Sequence, residues 1–275
     1  MVAIRVNDVS VDIPVYDVAS ASLRKLILGR TVGGRFAQTG THVIINALKN
    51  ITFEAHDGDR IGLIGNNGSG KTTLLRVLAD VYPPTSGTVD VKGRVSTMFD
   101  ATLGMYEDST GFENIRVSGI LWGLTHAQVE ASMDDIIEFT ELGDYLNLPL
   151  RTYSAGMKLR LAFAIATLRA PDILLLDEVI GVGDAGFYQK AYSRLQSLVR
   201  RSRILIVASH ANLIIQQLCN KALWLRNGEL VAYGDVGSVL EAYRTDAQKD
   251  NDAQTDPIQT SGDDFTVKEG AASLS

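Results

Sequence analysis

The 275 residues are 45% apolar and 21% charged, ordinary for a globular chain, with length for one large domain or two small ones. The formal net charge of −6 is concentrated in residues 246–275, which hold seven acids and two lysines, a balance that does not imply a strongly basic nucleic-acid face. The single cysteine, Cys219, excludes an internal disulfide and a cysteine-based metal cluster, and no run of about 18 uncharged apolar residues offers a membrane span.

The amino-terminal MVAIRVNDVSVDI alternates as a half-exposed strand does and lacks the apolar core of a signal peptide, which makes the cytoplasm the expected compartment. Residues 17–42 read as an irregular excursion, with four glycines around the amphipathic SLRKLIL. ITFEA and GTVDVKGRVS alternate again, so a small antiparallel β subdomain is expected. Three apolar runs, IGLIG (61–65), ILLLDE (173–178) and ILIVASH (204–210), barely alternate and suit parallel strands covered on both faces. Helical patterns separate them, so the core is expected to be α/β.

Residues 105–170 read as a helical insertion between two core strands. Thr125 and Gln128 form a T-x-x-Q capping box, and Val129, Met133, Ile136, Ile137 and Thr140 follow at helical spacing until Gly143. A second helix is expected from about 155 to Arg169, stopped by Pro171. The body is expected to end at 245, with the polar, acidic residues 246–275 as a disordered tail.

GNNGSGKTT (65–73) fits G-x-x-x-x-G-K-[ST] between a strand and a helix, the context a phosphate-binding loop requires. Gly65, Asn66, Asn67, Gly68, Ser69, Gly70 and Thr73 would turn backbone N–H groups toward phosphate oxygens at a helix start. Lys71 would reach the β- and γ-phosphates, and the Thr72 hydroxyl would ligate Mg²⁺. A glycine-rich turn with an exposed lysine is the bland alternative. DILLLDE ends a buried strand in two acids, which is costly unless they face a cation or a solvated cleft. In P-loop enzymes the first, here Asp177, holds Mg²⁺, and Glu178 would polarise the attacking water as general base; a helix cap is the structural alternative. His210 ends another core strand at the edge where α/β sheets bind ligands, placed to contact the γ-phosphate and orient water.

With Tyr153-Ser154-Ala155-Gly156-Met157 between them, these elements over roughly residues 1–240 resemble the ATP-binding-cassette ATPases. The resemblance implies a P-loop NTPase fold: a parallel sheet, a small antiparallel β subdomain and a helical insertion. It implies ATP and Mg²⁺ as ligands and a head-to-tail pair of chains. In that pair Ser154 and Gly156, at the start of a helix, bind the γ-phosphate of ATP held by the second copy, and Gly183-Asp184 crosses between the copies. Ala155 and Met157 depart from the family's usual Gly and Gln.

RVSTMFDATLGMYEDSTGFENI (94–115), the YS-x-GM signature and EVIGVGDAGF (178–187) are similar to the polysaccharide-exporting branch, which includes O-antigen and teichoic-acid transporters. Asp100 stands where most cassettes carry a glutamine that contacts Mg²⁺ and senses the membrane partner. Tyr16, with Phe36 behind it, is the expected adenine-stacking aromatic, since the usual position offers Asn46. Thirty polar residues are too few for the carbohydrate-binding β-sandwich some members append. Glycan recognition is therefore expected mainly in an integral membrane permease docked around 100–125. The resemblance implies a peripheral subunit at the cytoplasmic face of the membrane, without a span or a nucleic-acid partner. An importer or drug-exporter ATPase, or a soluble cassette protein, is the alternative.

Overall fold

The computed structural model describes residues 1–15, 36–39, 42–97, 105–177 and 185–254. Most of the expected excursion, including SLRKLIL, lies outside them. Part of it does not: Phe36–Thr39 forms strand β2.

Two sheets organise the described residues. In the first, β2 pairs with β3 (His42–His56), which pairs with β1 (Ala3–Val15), which pairs with β5 (Ser86–Lys92), all antiparallel. This is the expected antiparallel subdomain. The second sheet has the order β10-β9-β4-β8-β7-β6. It comprises β4 (Arg60–Ile64), β6 (Val95–Thr97), β7 (Ile173–Asp177), β8 (Ile204–Ala208), β9 (Lys221–Arg226) and β10 (Glu229–Asp235). Only the β9–β10 pair is antiparallel.

The three apolar runs are adjacent central strands, and their lack of alternation has the expected cause. Ile173, Leu175, Ile204 and Ile206 face a core shared with the antiparallel sheet, and with α1 (Lys71–Leu78). Leu174, Leu176, Leu205 and Val207 face the other core, beneath the helical insertion. Each fully buried side chain contributes about 1.5–3 kcal/mol, so both layers are bound tightly to one sheet.

GTVDVKGRVS does not form one antiparallel unit. It divides at Gly93, after which β6 joins the edge of the parallel sheet. The Arg94 N–H donates to Asp172 Oδ2 at 3.0 Å, and the Ile173 N–H donates to the Arg94 carbonyl at 2.9 Å, aligning β6 beside β7.

The insertion between β6 and β7 is helical, as expected. α2 (Gly111–Leu121) starts at a capping box of Thr110 and Glu113. Hydrogen bonds from the Thr110 N–H and hydroxyl hold the Glu113 carboxyl below its ordinary pKa. The Thr125–Gln128 box opens α3 (His126–Ala131). The helix expected to run on to Gly143 breaks at Ser132, whose hydroxyl donates back to the Gln128 carbonyl at 2.9 Å. α4 (Met133–Thr140) then ends at Glu141 in a left-handed conformation, φ 55°. α5 (Ala155–Ala166) stops short of Arg169, ending at Thr167, whose hydroxyl donates to the Phe163 carbonyl at 2.8 Å.

α6 (Ala185–Arg201) and α7 (Asn212–Leu218) complete the core, and α8 (Val236–Gln254) follows β10. The expected boundary at 245 therefore falls inside a helix. Asp246, assigned from sequence to the tail, is ion-paired with Arg226 at 2.6 Å.

Cys219 is buried, and burial pushes its thiol up to about 12. The native chain is expected to resist maleimide at pH 8 and react fully in denaturant. Native labelling at the denatured rate would contradict this packing.

Candidate functional site

Residues 65–70 link the end of β4 to the start of α1. Gly65 has φ +140°, and a Cβ there would lie 2.2 Å from the Leu225 carbonyl and 2.8 Å from Ser69 Oγ. Gly70 is the left-handed N-cap of α1, φ +112°, and a Cβ would meet the Ala47 carbonyl at 2.9 Å. Only glycine fits either position. The helix consequently begins without a side-chain cap, which presents its N-terminal dipole to the space in front of the loop.

The Lys71 side chain is buried, and Nζ donates to the Gly65 carbonyl at 2.7 Å and the Asn66 carbonyl at 3.2 Å. The Ser69 N–H donates to the Asn66 carbonyl at 3.0 Å, and the Gly228 N–H to the Ser69 carbonyl at 2.9 Å. Ser69 Oγ is buried and has no hydrogen-bond partner among the described residues. Leaving such a hydroxyl unsatisfied costs about 1–3 kcal/mol, a cost that a phosphate oxygen would relieve. Orphaned hydroxyl, buried ammonium and bare helix start together fit a polyphosphate.

The loop opens on a cleft of about 660 Å³, lined by Asn67, Gly68, Ser69, Gly70, Lys71, Thr72 and Thr73 together with Asp177 and His210. Asp177 ends β7 in register with Ala208 of β8, so His210, two residues beyond β8, comes to the same sheet edge. Thr72, Asp177 and His210 line the same cleft. Gly65 and Asn66 do not line the cleft; their carbonyls hold Lys71 from beneath. No group of three or more metal-binding side chains occurs among the described residues. Thr72 and Asp177 suit an ion that also takes oxygens from water and phosphate, the habit of Mg²⁺.

Sequence reasoning missed the apolar wall of this cleft. Ile13, Ile45 and Ala47 line it from the antiparallel sheet. Ile13 and Ile45 are register partners, and Ala47 shares Ile45's face two residues on. The intervening Asn46 points away, its amide donating to Asp12 Oδ1 at 2.6 Å, so it offers no surface for a base. Strand period was the available signal. The Phe36 backbone lies opposite Ile45. Tyr16, Asp100, Glu178 and Asp184 lie outside the described residues.

Ser154 caps α5, accepting from the Met157 N–H at 3.2 Å, and Ser154, Ala155 and Gly156 are exposed. Ser154 and Gly156 edge a second hollow, about 320 Å³, with Tyr145 and Arg160, and no residue of it belongs to the first cleft. The segment is anchored from behind. The buried Tyr153 donates its hydroxyl to the Tyr145 carbonyl at 2.6 Å, and Lys158 pairs with Glu107 at 2.7 Å.

The family described as ABC transporter matches residues 48–181. The O-antigen export system ATP-binding protein of Yersinia enterocolitica is 43% identical over 229 residues, covering 83% of this chain and 96% of that protein. The chain belongs to the ABC transporter family. It is accordingly an ATPase.

The O-antigen export system ATP-binding protein of Myxococcus xanthus is 39% identical, over 80% of this chain and 51% of its own length. A teichoic acids export ATP-binding protein of Listeria innocua is 38% identical, over 72% and 58%. The chain thus spans nearly all of the Yersinia protein and somewhat over half of the other two. A solved ATP-binding subunit of an ABC transporter aligns with TM-score 0.63 at 21% identity, covering 87% of this chain and 92% of that one. A dimeric ATP-binding cassette with ADP and Pi aligns with TM-score 0.61 at 18% identity, covering 85% and 98%. At these identities the likeness is one of fold, and it is the ABC ATPase fold expected from the motifs.

Gly65→Ala is expected to abolish detectable ATP binding, because its Cβ would displace the Leu225 carbonyl or Ser69. Calorimetric titration with ATP checks this, and wild-type affinity would contradict the loop geometry.

Proposed function

We propose that the chain is the ATP-hydrolysing subunit of an exporter that moves lipid-linked polysaccharide across the cytoplasmic membrane, bound peripherally to an integral membrane permease. The observation that carries this reading is the 43% identity extending over nearly the whole length of a protein named for O-antigen export. Among the described residues no helix is long and apolar enough to cross a membrane, which suits a subunit attached through a partner.

Two copies would pair head to tail. Ser154 and Gly156 are exposed in a hollow separate from their own chain's cleft, which supports their acting on ATP held by the second copy. A symmetric pair supplies both halves of two such sites from one sequence. ATP that touches both copies only when they are closed shifts the pair toward closure by differential affinity. Asp184 would form the crossing between copies, and Asp100 would face the permease. Tyr16, with Phe36 behind it, would extend the apolar wall of Ile13, Ile45 and Ala47 under the adenine.

Within each site the loop backbone and Lys71 would fix the phosphates. Thr72 and Asp177 would hold Mg²⁺, which neutralises phosphate charge when bound. Glu178 would take the proton of the attacking water, and His210 would orient that water against the γ-phosphate.

Glu178→Gln is expected to lower ATP hydrolysis by about 10²–10⁴-fold while leaving ATP binding intact. Hydrolysis at the wild-type rate would sink the base assignment. Head-to-tail pairing has its own test in mixed chains. Lys71→Ala and Ser154→Arg, each inactive alone, are expected to regain ATPase activity when mixed, because one site of each hybrid then has an intact loop and an intact signature. If Ser154 serves its own chain, mixing restores nothing.

A further inference from the structure

The phosphate loop is braced from a side its own motif does not specify. β9, β10 and α8 form that side. The Leu225 carbonyl sits where a Cβ on residue 65 would fall, and the Gly228 N–H donates to the Ser69 carbonyl at 2.9 Å. From α8, the Tyr243 hydroxyl donates to the side-chain carbonyl of Asn66 at 3.0 Å. Asn66 is also the residue whose backbone carbonyl accepts from Lys71 Nζ at 3.2 Å and from the Ser69 N–H at 3.0 Å. One residue therefore joins the carboxyl-terminal helix to the ammonium.

Tyr243 is itself fixed before its hydroxyl reaches the loop. Its ring meets Trp224 edge-on, with centroids 5.5 Å apart and planes at 76°. The Arg226 guanidinium lies 5.1 Å from the Trp224 ring centroid and pairs with Asp246, about one turn beyond Tyr243, at 2.6 Å. A tyrosine held by an aromatic edge and a neighbouring ion pair loses little further freedom in making its hydrogen bond.

We infer that Tyr243 is a positioning residue for ATP binding: it fixes Asn66, and through the Asn66 carbonyl it holds Lys71 where the phosphates arrive. The nucleotide site then extends beyond the loop motif to α8, and a displacement of that helix loosens the loop.

Tyr243→Phe removes the hydroxyl and keeps the ring against Trp224. In the full-length chain, the Kd for ATP is expected to weaken about threefold to fivefold, the effect of one lost hydrogen bond. The kcat at saturating ATP and the thermal midpoint stay at wild-type values. Asn66→Ala binds ATP more weakly than wild type, and adding Tyr243→Phe to it weakens binding no further. Wild-type affinity in Tyr243→Phe, a loss confined to kcat or thermal stability, or additive losses in the double variant would each overturn the link. The inference rests on the cleft being the ATP site, which the wild-type chain tests separately. Failure of the wild type to bind ATP refutes that assignment, whereas equal tight binding by wild type and Tyr243→Phe refutes only the role of Tyr243.

Discussion

The buried ammonium of Lys71, held by two carbonyls of its own loop, is the constraint around which the described fold is arranged. A buried cation is tolerable only where oxygens surround it, and here the backbone between Gly65 and Gly70 supplies them. That backbone can adopt its path because Gly65 and Gly70 lack side chains, and it keeps the path because neighbours fill the space behind it. The Leu225 carbonyl closes one side, the Ala47 carbonyl another, and the Gly228 N–H ties down Ser69. Sequence positions from 47 to 228 thus converge on one turn.

The sheet topology explains how. β4 lies between β8 and β9, so the loop leaving it emerges beside the ends of both. Asp177 and His210 reach the cleft because β7 and β8 run parallel in register with β4. The antiparallel sheet, stacked on the same core, brings Ile13, Ile45 and Ala47 to the opposite wall. A polar floor facing an apolar wall is the arrangement a nucleotide needs, with charge at one end and a flat base at the other.

Much of this was legible in sequence because its signals are local. The phosphate loop, the capping box at Thr125, the N-cap at Ser154 and the three unalternating strands each depend on a few adjacent residues. What escaped depends on distant ones. β6 left the antiparallel group because Asp172 and Arg94 pair across 78 positions. The helix after Thr125 broke because the Ser132 hydroxyl found the Gln128 carbonyl, one of two outcomes serine allows in a helix. α8 continued through 246 because Trp224 and Arg226 gave Tyr243 and Asp246 something to grip, which composition alone could not reveal. The apolar wall is hidden in the sequence because position 46, where the family usually carries an aromatic, holds asparagine, while the strand period aims 45 and 47 at the cleft.

Each chain carries a complete loop and, in a separate hollow, an exposed signature. In the proposed pair these halves meet only between copies, joined by ATP. Analytical ultracentrifugation of Glu178→Gln, with and without ATP, tests it most directly. Adding ATP is expected to shift the chain from monomer to dimer, and no such shift is expected when Ser154→Arg is combined with Glu178→Gln. An ATP-independent oligomeric state, or ATP-driven dimers that persist with arginine at 154, would contradict it.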